Sequence, residues 1–168
     1  MFQIGEVVAY GATGICTVED VKVLSLSRGR TDRQEYYILR PLAAPTCITY
    51  IPTANEALTA KMRRVYTAEE IDTIILLSKG AQLEWVEDTR RRTEQFNQVV
   101  AKGITPELMK LIACLYTEKK SRVGSGKKFC GTDEKILSSA ERIVNEEFAY
   151  ALKIAPKDVS AYIADKLK

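Results

Sequence analysis

The chain has 168 residues, with a hydrophobic fraction of 46% and a charged fraction of 28%, the balance of a folded soluble protein of one domain or two small ones. It contains no histidine, which excludes Ser-His and Cys-His nucleophile pairs, and its carboxylates form no paired-acid pattern, so no enzymatic activity is expected. The net charge of +3 is unevenly spread: residues 1–60 hold 5 Lys+Arg against 6 Asp+Glu, and residues 61–168 hold 20 against 16.

Phe2, Ile4, Val8 and Tyr10 recur with a period of two, which predicts a first strand over residues 2–10. Gly11-Ala12-Thr13-Gly14 suits a tight turn, because glycine tolerates positive φ. A β-branched run from Ile15 to Leu26 predicts a second strand. Residues 27–33, polar and containing Gly29, predict a hairpin tip. Gln34 to Arg40 reads as a third strand. Thr46 to Ile51 reads as a fourth, stopped by Pro52. Four or five short antiparallel strands predict a small curved sheet or partial barrel, and the exposed edge of such a sheet can accept a partner strand.

The period then changes. Thr67 and Glu70 form a capping box ahead of Ile71, Ile74, Ile75 and Leu77, and Gly80 can end that helix. A second helix is predicted from Glu84 to Lys102, closed by Gly103. A third opens with Pro106 at its first position and carries Leu108, Leu111, Ile112 and Leu115. Residues 119–131 break the pattern. Thr132 is the expected cap of a fourth helix, and Pro156 starts a short last one to about Leu167. The predicted fold class is α+β: a β module over 1–60, then an all-helical bundle over 61–168, with the boundary near 53–66.

Within QLEWVEDTRRRTEQF, residues 82–96, the sole tryptophan, Trp85, is followed by Arg90, Arg91 and Arg92. An indole beside permanent cations suits nucleic acid: the ring can stack on a base or wedge at a base step, and guanidiniums can hold phosphates. The competing reading makes Leu83, Val86, Phe96, Val99 and Val100 an ordinary apolar stripe, with Trp85 as core. Lys119, Lys120, Arg122, Lys127 and Lys128 lie within ten residues that hold no acid, either a phosphate-attracting loop or a solvated one. Gly124-Ser125-Gly126-Lys127-Lys128 is not a phosphate loop, because Ser121 and Lys128 replace the required glycine and hydroxyl residue. Cys16, Cys47, Cys114 and Cys130 form no CxxC pair and read as reduced, small apolar residues, so no metal site or cofactor is expected. The first apolar run is interrupted by Glu6 and no run of about 18 apolar residues exists, so the expectation is a soluble cytoplasmic protein with no membrane partner.

Several stretches, in order, resemble the CarD/CdnL-like bacterial transcription regulators. FQIGEVVAYGATGICTVEDV resembles that family's start, and CITYIPTAN its strand ending in an aliphatic–Pro turn with Asn55 after it. EWVEDTRRRTEQF resembles its Trp-led basic helix, and LYTEKK with LSSAERIVNEEFA its third and fourth helices. The resemblance implies a Tudor-like N-terminal module that binds the RNA polymerase β subunit. That module is similar to the one in the transcription–repair coupling factor. It also implies a helical domain that meets promoter DNA at the upstream edge of the transcription bubble. There the family tryptophan, matching Trp85, wedges into the minor groove, and Arg90 is the clearest match among the backbone-holding cations.

Two departures stand out. Several relatives carry an arginine where Tyr50 stands, so polymerase contact there cannot rest on a salt bridge. Glu87 and Asp88 follow Trp85 where some relatives have arginines, which should weaken DNA contact on that face. The expectation is a regulator that stabilises the promoter open complex. DNA contacts are expected at Trp85, Arg90, Arg91, Arg92, Lys119, Lys120, Arg122, Lys127 and Lys128, and polymerase contacts at Cys47, Ile48, Tyr50 and Pro52. No small-molecule substrate is expected. The alternative is a protein–protein adaptor with no DNA role.

Overall fold

Strand pairing organises the first of two units, Met1–Val65, in a computed structural model that describes residues 1–26 and 33–168. Its strands are β1 (Val7–Tyr10), β2 (Gly14–Leu24), β3 (Gln34–Pro41), β4 (Thr49–Pro52) and β5 (Met62–Arg64). They form one antiparallel sheet of order β4-β3-β2-β1-β5. Cross-strand neighbours build the core. Val8 faces Cys16, Val18 faces Leu39 and Tyr37 faces Ile51, all buried on one side of the pleat. The β2–β3 register shifts between Val18 and Asp20, a bulge that adds bend and twist to a long strand.

Two strand starts in this unit need correction. The first strand starts at Val7 rather than Phe2, because Gly5 at φ +88° turns the chain and Ile4 points to solvent. The fourth strand starts at Thr49 rather than Thr46, leaving Cys47 and Ile48 just ahead of it. Residues 53–66, where the boundary is expected, contain the one-turn helix α1 (Glu56–Thr59) and β5, and the first unit ends at Val65. The predicted hairpin tip falls on residues 27–32, outside the described residues, and Arg33.

The second unit, Tyr66–Lys168, is helical: α2 (Ala68–Ser78), α3 (Thr89–Lys102), α4 (Thr105–Gly124), α5 (Gly131–Leu152) and α6 (Val159–Lys166). The α5 helix is central. Its Ile136, Leu137, Ala140, Ile143, Val144 and Phe148 are buried against Leu108, Leu111 and Leu115 of α4, Ile71 and Ile75 of α2, and Phe96 and Val100 of α3. Buried Glu147 accepts hydrogen bonds from the Tyr66 N–H at 3.2 Å and the Thr105 hydroxyl at 2.6 Å, tying two helix entries to the core. On α6, the Tyr162 hydroxyl and the Lys166 ammonium both donate to Asp72 of α2. No helix among the described residues is long and apolar enough to cross a membrane.

The Thr67–Glu70 capping box and the left-handed Gly103 after α3 form as expected. Four helix details differ. The α3 helix begins at Thr89, not Glu84, because the Asp88 side chain accepts from the Arg91 N–H and caps it there. The α4 helix begins at Thr105, so Pro106 is its second residue, and it continues through Lys119–Arg122 to Gly124. The α5 helix begins at Gly131, so Cys130 rather than Thr132 holds the cap position. The last segment starts as a 3-10 turn at Pro156–Asp158, and α6 ends at Lys166.

The Thr67 cap satisfies the Glu70 N–H, and the Glu70 side chain returns the bond to the Thr67 N–H at 2.9 Å. Thr67→Ala is expected to destabilise the helical unit by about 1 kcal/mol. The check is a lower urea midpoint by far-UV dichroism at unchanged m-value.

Candidate functional site

The first unit presents two sheet edges of different chemistry. The β5 edge is basic, with Lys61, Arg63 and Arg64. The β4 edge lies in residues 41–55, which contain no charged side chain. Thr53 donates its N–H to the Glu35 carbonyl at 2.9 Å, which fixes the phase of the β3–β4 ladder. Alternation along an antiparallel pair then turns the N–H and C=O of Tyr50 outward, away from β3. Pro52, opposite Tyr36, occupies another outward position, where its missing N–H costs no ladder bond. Ile48 and Tyr50 are 41% and 42% exposed, and Cys47 is exposed. Arg40 braces the approach to β4. It makes a two-point pair with Glu19 and also donates to the Pro45 carbonyl.

In the helical unit Trp85 does not start a helix. It sits in the irregular segment before α3, partly buried against the helical core. The Arg92 guanidinium carbon lies 4.1 Å from the indole centroid, Phe96 meets the ring edge-on at 6.2 Å, and the Arg122 guanidinium carbon is 5.7 Å away. The indole Nε1 is buried and has no hydrogen-bond partner among the described residues. A cleft of about 500 Å³ beside the ring is lined by Leu83, Glu84, Val86, Arg91, Gln95, Phe96 and Val99.

Arg92, expected among the DNA contacts, is only 3% exposed. Its Nε and Nη2 donate to the two Asp133 carboxylate oxygens at 3.1 and 2.8 Å, and its Nη1 donates to the Val86 and Glu87 carbonyls. The hydrogen bond to Asp133 outweighs burial and pushes the Arg92 pKa further up, so the guanidinium stays charged. Asp88, expected to oppose DNA, spends its carboxylate on the α3 cap. The signal for Arg92 is in the sequence: it shares the stripe of Phe96 and Val100 at helical spacing. Asp133, 41 residues away, carries no such signal.

The remaining cations separate into two groups. Lys119 pairs with Glu134 at 2.8 Å, and Arg122 pairs with Glu118 at 2.6 Å. Arg90, Arg91, Lys120, Lys127 and Lys128 are exposed and have no ion-pair partner among the described residues. Cys16 and Cys114 are buried, Cys130 is partly buried and Cys47 is exposed.

Residues 2–66 match the family of the CarD-like/TRCF RID domain, so this unit carries a domain of an RNA polymerase-interacting family. The match ends at Tyr66, where the helical unit begins. No curated protein matches the chain closely enough to count as a relative.

Asp133→Ala leaves the Arg92 charge buried without its counter-ion and is expected to destabilise the helical unit by about 3–5 kcal/mol. The double change Arg92→Met with Asp133→Leu removes both charges and is expected to cost less. Urea unfolding of the two proteins compares them.

Proposed function

We propose that this chain, whose residues 2–66 are a CarD-like/TRCF RID domain, is a transcription regulator that docks on the RNA polymerase β subunit and stabilises the promoter open complex. The observation that carries the reading is the domain match together with the uncharged β4 edge. A partner strand added there gains main-chain hydrogen bonds at Tyr50, and Ile48 and Tyr50 supply apolar contact. With Tyr50 in place of an arginine, the contact rests on backbone pairing and apolar area rather than on an ion pair.

The helical unit then contacts DNA at the upstream edge of the bubble. Trp85 offers a ring already held against the core, and Arg90, Arg91, Lys120, Lys127 and Lys128 offer uncommitted cations for phosphates. A ligand shifts an equilibrium only by its differential affinity for the two states. An indole that meets an unstacked base step better than closed duplex therefore favours the opened promoter. Loss of that contact is worth about 1–3 kcal/mol, the range of one aromatic–base stack. No catalytic step is involved, and specificity comes from polymerase. The packing of Trp85 on the helical core favours a second reading, an adaptor with no DNA role.

Two measurements test this reading. Tyr50→Pro removes an outward donor without breaking a β3 bond, and is expected to weaken polymerase binding at least tenfold, the equivalent of about 1.4 kcal/mol. Unchanged affinity in an immobilised-polymerase assay would move the docking site away from β4. Wild type is expected to lengthen open-complex lifetime in a competitor challenge, and Trp85→Ala to lose most of that effect while still binding polymerase. Equal lifetimes with both proteins would favour the adaptor.

A further inference from the structure

We infer that Arg92, held in turn by Asp133, is a positioning residue that fixes the attitude of the Trp85 indole rather than a phosphate contact. This inference rests on the reading of Trp85 as the residue that meets DNA.

The segment from Ala81 to Val86 has no helical or strand ladder to hold it. Leu83 N–H donates to the Lys110 carbonyl at 3.2 Å, which fixes the chain on one side of Trp85. On the other side, the carbonyls of Val86 and Glu87 both accept from Arg92 Nη1, at 2.8 and 3.2 Å. The indole itself has no polar tether among the described residues, where its buried Nε1–H finds no hydrogen-bond partner. Its orientation is therefore set by what it packs against. The Arg92 guanidinium carbon lies 4.1 Å from the ring centroid, and Phe96 closes on the ring at 63°.

Arg92 can do this only if its own plane is fixed. The two-point pair with Asp133, in which the side chains are 4% and 1% exposed, fixes it. The chain of dependence runs from the first turn of α5 through Asp133 to Arg92, and from Arg92 to both the Trp85 ring and the backbone just after it. Lysine cannot replace this arrangement. A single ammonium has no plane to lay against the ring, and it cannot reach two carboxylate oxygens and two carbonyls at once. A ring ordered before binding loses less freedom on contact with DNA, which is how a residue that never touches DNA can govern that contact.

Trp85 is the only tryptophan, so its fluorescence reports this site alone. In the wild type, time-resolved anisotropy is expected to show the indole turning with its domain and no large fast component on the picosecond-to-nanosecond scale. Arg92→Lys and Asp133→Asn are expected to introduce that fast component and to increase acrylamide quenching, with far-UV dichroism unchanged. In the competitor challenge both variants are expected to shorten open-complex lifetime to the Trp85→Ala value, with polymerase affinity retained. A large fast component in the wild type overturns the inference, even if neither variant folds. So does an Arg92→Lys protein whose quenching and lifetime match the wild type. If Trp85→Ala itself leaves the lifetime unchanged, the DNA reading of Trp85 fails, and the anisotropy still decides whether Arg92 positions the ring.

Discussion

The Arg92–Asp133 pair is the constraint on which the helical unit's candidate site depends. Removing two charges from water is costly, and their attraction offsets that cost only with good geometry and further hydrogen bonds. Here the geometry is two-point, at 3.1 and 2.8 Å, and Arg92 also satisfies two carbonyls. A buried pair of this kind is weak evidence for stability, since apolar residues of similar volume would often serve as well. Its physical consequence is orientation. It joins α3 to α5 and pins the backbone after Trp85, two things a Leu–Leu contact could not do together.

The same economy divides the three consecutive arginines by their position on a helix. Arg92 lies one turn before Phe96 and faces the core, whereas Arg90 and Arg91 face solvent. In the β unit, a comparable division separates the sheet edges. Basic side chains at β5 discourage strand addition, because their charge must be desolvated as a partner strand approaches. The β4 edge has no such guard between Pro41 and Asn55. The two edges of the sheet thus differ in how readily they accept a partner strand.

The sequence was legible where the signal was local. Thr67 with Glu70, and Gly103 after Lys102, act over three or four residues and stand where their spacing implies. The alternation of Tyr37 and Leu39 likewise marks the buried face of β3. Pattern and structure part where a short period runs on past a local stop. Phe2 and Ile4 continue the period of Val8 and Tyr10, but Gly5 at positive φ breaks the strand between them. Leu83 and Val86 continue the stripe of Phe96, but Asp88 ends it by capping. The part that was not legible is long-range. A charge becomes an interior residue when a counter-charge meets it, and Asp133 lies far outside any helical window around Arg92. The three-residue β5 was hidden for a similar reason, since its partner β1 is more than fifty residues earlier.

In the proposed reading the division of labour between the units follows from these chemistries. Five exposed cations with no ion-pair partner among the described residues would give weak DNA binding with steep salt dependence, because each phosphate contact releases counter-ions. In that reading specificity comes from polymerase, and such binding does not select a promoter unaided. Docking through β4 changes the problem. A tethered contact is governed by effective concentration rather than bulk concentration, so an interaction too weak to hold DNA alone becomes significant beside polymerase. A weak contact is then an advantage. It biases the balance between closed and opened promoter without competing for duplex elsewhere, and its sign depends on Trp85 meeting one state better than the other. That difference survives only if the ring's attitude is fixed, which returns the functional burden to Arg92 and Asp133.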